Sequence, residues 1–271
     1  MSKDSNNNSG KAKSDGGVDV IGIVLMIATP ITIIALWQIF SMAGKINPSI
    51  LPSPLTILET FAKKIASGEL QRHLGISMMR VLKGYAIGCL TGVATGTLMG
   101  LVRRFERAFT LVFGLIRPVP IIAWVPILIL AMGIGEESKV TVIAFGTFFP
   151  VLLNTIHGIH SIDRKYLEVA EVLEKKRFTV LFKVVFPSAL PAIFTGLRIG
   201  LGIAWMSVVG AELIAASSGI GYLISYAGQL SQPAVMLMGV FSIGIIGLLI
   251  DMLLRGIERA ALRWTVGLKQ K

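Results

Sequence analysis

Six mainly apolar stretches fix the solvent in which this chain can fold, because a helix crossing a hydrocarbon core needs about 20 such residues. They run over 18–42, 76–102, 108–132, 140–159, 190–215 and 234–254. Only 15% of the 271 residues are charged while 54% are hydrophobic, too little charge to cover a water-soluble domain of this length. The pattern predicts an all-α polytopic membrane protein with six transmembrane helices and both ends on one side.

The net charge of +11 suggests nucleic acid, but the placement of the basic residues argues against it. Seventeen of the 26 fall on one side, in the tails and in the segments around Arg103, Arg104, Arg107 and Arg164 to Lys183. The positive-inside rule makes that side, with both termini, cytoplasmic. The chain therefore divides into a disordered tail (1–17), a first span with a periplasmic loop (18–72), a five-helix core (73–255) and a cytoplasmic tail (256–271). The polar start, rich in Ser, Asn and Gly, lacks the cleavage site of a signal peptide. Within the outer loop, Leu55 to Ala66 reads as an amphipathic surface helix. The single cysteine, Cys89, reads as a small packing residue.

Glycine recurs at every fourth position of the second span: Gly84, Gly88, Gly92, Gly96 and Gly100. Such a stripe implies close approach by another backbone rather than a ligand site. The third span holds Arg117-Pro118-Val119-Pro120 and then Pro126, which predicts an irregular start and a kink near Pro126. Broken backbone at membrane depth survives where protein or a water-filled cavity shelters it. Pro120, Trp124 and Pro126 are thus candidates for a pathway or gate, with a kinked structural helix as the equal alternative. Arg198 and Glu212 are ionisable residues inside the fifth span and join that list, against the alternative of a structural ion pair. Asp251 and Arg255 read as an i,i+4 salt bridge. His157 and His160 have metal-like spacing but no third ligand, and complement a helix C-terminus. No metal or cofactor is expected.

The longest cytoplasmic loop, 161–189, opens on a short amphipathic helix with Asp163 as its N-cap. Leu167, Ala170 and Leu173 share one stripe; Glu168, Glu171 and Lys175 share another, with Glu171 and Lys175 as an ion pair. Pro187 and Pro191 mark a break before the fifth span.

This loop resembles that of the permeases of ATP-binding-cassette importers, whose pattern is Glu-Ala-Ala, three residues, Gly, nine residues, Ile, one residue, Leu-Pro. Glu168-Val169-Ala170, Glu174, Val184 and Phe186-Pro187 stand at those positions. Further segments resemble the nitrate, sulfonate and taurine class: Leu51-Pro52-Ser53-Pro54, His73-Leu74 with Ser77 and Arg80, Arg117 to Pro120, Gly133-Ile134-Gly135, Pro187 to Gly202, Ala211-Glu212 and Ser218 to Tyr222. The resemblance implies a type I importer permease core in a bacterial inner membrane, forming the pathway for a small solute such as an alkanesulfonate, taurine or nitrate. It implies a second permease subunit, with a homodimer favoured, a substrate-binding protein outside and ATPase subunits inside. Coupling to the ATPase would rest on Glu168, Ala170, Glu171, Leu173, Glu174 and Pro187. No phosphate-binding loop is present, so ATP hydrolysis belongs on another chain. A stand-alone transporter is the alternative reading. Glu174 departs from the pattern's glycine, so either the helix runs past it or the turn takes another geometry. Ser231-Gln232-Pro233 departs too, where relatives more often carry an acidic residue.

Overall fold

The computed structural model describes residues 20–262. The tail at 1–17 and the end of the tail at 256–271 lie outside the described residues. Eleven helices and no strand occur among the described residues. Five are long and apolar enough to cross a membrane, and a sixth span arises if one bent pair is counted as a unit.

The first long helix, α1 (Val20–Met42), lies at the periphery with an exposed apolar surface. Its far end meets the rest through Trp37, whose ring lies 6.4 Å from that of Phe241. The surface helix α2 (Pro54–Ala66) begins where Ser53 caps it by accepting the Thr56 N–H at 3.2 Å, with Pro54 in the first turn. Ile57 anchors it in a cluster with Leu70, Ile220, Leu223 and Met238.

Three helices form the centre: α3 (Glu69–Leu101), α6 (Glu136–His160) and α9 (Phe186–Ala215). The glycine stripe of α3 faces α6, in register with Ile143, Thr147, Val151, Thr155 and Ile159. A Cβ at Gly88 would stand 2.5 Å from the Ala144 carbonyl oxygen, so the two backbones touch. On its other side α6 meets Gly196 and Gly200 of α9. Sandwiched between two glycine-lined partners, α6 is the most buried span.

The third span is not one helix. It divides into α4 (Arg103–Ile116) and α5 (Ile121–Met132), bent by 97° at Arg117–Pro120. The kink expected near Pro126 is displaced to this break, and α5 runs continuously through Pro126. Pro118 and Pro120 remove two backbone donors within three residues, whereas Pro126 removes one from an otherwise intact helix.

The break expected at Pro187 and Pro191 is also absent. The short loop helix α7 (Arg164–Val172) is followed by α8 (Arg177–Val180), a π-helical turn over 181–185 and then α9, which contains Pro191. The Phe186 N–H bonds back five residues to the Leu181 carbonyl. This wider turn makes room ahead of Pro187, whose ring would otherwise press on the carbonyl four residues before it. After α9 the chain reverses at 216–219 into the short α10 (Ile220–Gln229) and then α11 (Pro233–Ala261). The last helix extends six residues past the expected start of the C-terminal tail.

Candidate functional site

Three features stand out, one at each end of the bundle and one between. At one end α7 projects from the loop between α6 and α9. Asp163 caps it by accepting the Lys165 N–H at 2.9 Å. Ala170 is buried, while Tyr166, Leu167, Val169, Val172 and Leu173 are exposed. Glu168 is exposed and lies 3.6 Å from Arg164, one turn back. The helix does not run past Glu174. It ends in a Schellman turn, with the Lys175 N–H on the Ala170 carbonyl and the Glu174 N–H on that of Glu171. Glu174 takes the left-handed position of that turn, φ 48°, normally left to glycine. Lys175 therefore leaves the helix, and the expected Glu171–Lys175 pair does not form among the described ion pairs. Ser231 fills the equivalent position after α10, φ 55°.

At mid-length a groove of about 520 Å³ opens between the Arg117–Pro120 break, α6 and α9. Its walls are apolar and aromatic, including Pro118, Phe145, Phe149 and Met206, with Arg117 and Asn154 as polar members. Pro120 lines it. Trp124 stands beside it, edge-on to Phe145 at 5.2 Å, with its Nε1 buried and without a partner. Pro126 lies on the exposed side of α5.

The opposite end from α7 carries a buried ionic clamp. Arg80 donates to Glu212 Oε1 at 2.8 Å and to the Ser218 carbonyl at 2.7 Å, and its other face meets Glu136 at 2.6 Å. Ser77 donates to the Glu212 carboxylate at 2.7 Å. Three consecutive backbone N–H groups at the start of α10, where a helix leaves its donors open, are taken by side chains of α3 and α9. Gly219 donates to His73 Nδ1, Ile220 to Ser77 and Gly221 to Glu212, at 2.9 to 3.0 Å. The chain can turn this tightly only because residue 219 is glycine: a Cβ there would collide with the Glu212 carboxylate.

Arg198 and Glu212 are thus not partners. Arg198 bonds Asp251 at 2.8 Å, and Asp251 also holds Arg255 at 2.6 Å. His160 lies 3.8 Å from Glu106, and no group of three metal-ligating side chains occurs among the described residues. Arg80 falls inside the second predicted span, but sequence reasoning alone assigned it no part in a site. The signal was present: His73, Ser77 and Arg80 fall at i, i+4 and i+7, one polar face on a helix that is otherwise apolar there.

Comparison with known proteins decides the identity. Residues 73–263 match the family described as binding-protein-dependent transport system inner membrane component. The chain belongs to this family. It is 43% identical over 235 residues to a putative aliphatic sulfonates transport permease of Bacillus subtilis, covering 87% of this chain and 85% of that protein. It is 34% identical over 247 residues to the taurine transport system permease of Escherichia coli, covering 89% and 90%. The fold is similar to that of the MetNI methionine ABC transporter in an inward-facing conformation, with TM-score 0.65 at 17% identity over 73% of this chain and 98% of that one. This importer permease is accordingly a multi-pass membrane subunit that works with an ATPase and a binding protein. Its long helices supply the walls of the groove, and its loops lie at the two ends.

Proposed function

We propose that this permease, paired with a second copy of itself, forms the pathway through which an ATP-driven importer moves a small anion or zwitterion, an alkanesulfonate first and taurine next. ATP is hydrolysed on a separate subunit, against which α7 docks. The observation that carries this reading is the exterior of α7: five exposed apolar side chains on a charged helix and its C-cap, beyond the spans. Exposed apolar surface on so short an element suits a protein partner. Glu168 and Glu171 supply charge beside that surface, Ala170 seats the helix, and Leu173, Glu174 and Pro187 set how it joins α9. The 73–255 core carries these parts, with α1 set outside it against lipid.

The basic residues around α7 support a cytoplasmic location for that end and for both termini, with the Arg80 clamp on the outer side. The groove is open along one side, which supports a second copy completing it. Pro120 and Trp124 are its proposed gate residues. Pro126, Arg198 and Glu212 then serve around the pathway rather than in it. The relatives named for aliphatic sulfonates and taurine support the choice of solute.

The test is uptake of labelled alkanesulfonate by cells holding the whole transporter. Glu168→Arg should abolish uptake and weaken ATPase co-purification while the permease still inserts. Uptake that persists after deletion of the ATPase gene would show a stand-alone transporter instead.

A further inference from the structure

Several cations on the spans meet an anion. Arg80 has Glu212 and Glu136, and Arg198 and Arg255 share Asp251. Arg117 does not. Its side chain has no ion pair or hydrogen bond among the described residues, and it is exposed.

Its depth makes this costly. The α6 wall of the groove, Phe145 to Asn154, begins nine residues into that helix, so at 1.5 Å per residue the groove spans about 13 to 27 Å of an element about 37 Å long. The α9 wall, Ile199 to Met206, is likewise central in its helix. A cation at such a level is expensive unless it faces a partner or a water-filled cavity. Arg117 is the single charged side chain on the groove's lining. Asn154 spends one amide hydrogen on the Pro150 carbonyl at 2.8 Å.

We infer that Arg117 is the solute-contacting residue of the translocation groove: its guanidinium receives the anionic head of the passing solute, while Pro118, Phe145, Phe149 and Met206 receive the aliphatic part. The inference rests on the proposed solute class. A planar fork of N–H donors matches two oxygens of a sulfonate, as it does those of a carboxylate or phosphate. A groove of about 520 Å³ is within the size of ordinary small-molecule sites. Apolar walls with one fixed charge discriminate by charge and by chain, and hold the solute weakly enough to release it.

The experiment uses the complete transporter in vesicles, with butanesulfonate and its binding protein. Uptake per ATP hydrolysed is measured for wild type, Arg117→Gln and Arg117→Lys, together with subunit assembly by size exclusion. Arg117→Gln should lower uptake per ATP at least tenfold with assembly intact. Arg117→Lys, which keeps the charge without the fork, should fall between the two and carries the test if the Gln variant does not insert. Uptake of Arg117→Gln within twofold of wild type overturns the inference. So does loss of subunit assembly, which would assign Arg117 to an ion pair between copies. A defect seen with anionic lipid but absent from vesicles of zwitterionic lipid would assign it to a headgroup, and also overturns it. Wild-type transporter that moves no anion would instead sink the proposed solute class.

Discussion

The Arg80 guanidinium and the Glu212 carboxylate lie 2.8 Å apart, with side chains 3% and 0% exposed, and so tie α3 to the last turn of α9. Removing Arg80 strands the buried Glu212 charge, at about 3–5 kcal/mol, and removing Glu212 leaves Arg80 only the exposed Glu136. Arg80→Met and Glu212→Gln should each lower the thermal midpoint of the purified permease sharply. The double variant should lose much less than the two losses combined. Additive losses in that cycle would mean that the two residues act independently.

The contact between α3 and α6 gives a second prediction, with its own control. At Gly88 even a methyl group meets backbone, and overpacking of this kind costs about 1–3 kcal/mol. Gly88→Ala should therefore reduce folded yield and thermal stability. Gly114, in α4, has nothing within 4 Å of a Cβ. Gly114→Ala should be neutral or stabilising, since alanine is the better helix former by about 1 kcal/mol. Equal behaviour of the two variants in a melting experiment would contradict the packing argument.

The turn after α7 contains a removable strain. Glycine at position 174 would accept φ 48° without the cost of a Cβ, a relief of about 1 kcal/mol. Glu174→Gly should slow proteolysis and hydrogen exchange across 164–175 while leaving insertion unchanged. Faster exchange in that segment would refute the assignment of strain.

Val172 is 82% exposed on α7 and bears no packing load in the isolated chain. Val172→Asp should leave the permease's own melting temperature unchanged and weaken its binding to the ATPase at least tenfold. A pull-down showing wild-type affinity would move the docking face elsewhere on the loop.

The sequence made the spans legible because apolar runs of that length have few other solutions. Asp163, the Asp251–Arg255 pair and the close α3 packing were legible for the same reason: each is local or periodic. Lone prolines misled. Pro30, Pro126, Pro150 and Pro191 all lie inside helices that continue past one missing bond, whereas the doubled Pro118 and Pro120 produced a break. The clamp was the least legible part. Its members come from positions 73 to 221, and no local pattern announces that Glu212 will meet Arg80 rather than Arg198, fourteen residues away on its own helix.

The register of α3 on α6 also limits how this subunit can move. Each glycine is a notch filled by a side chain four residues from the next, so a slide of one residue would drive ridge against ridge. The next matching register lies a full four residues away, about 6 Å along the axis. Gradual shear is closed to these two helices, and they travel as a single lever.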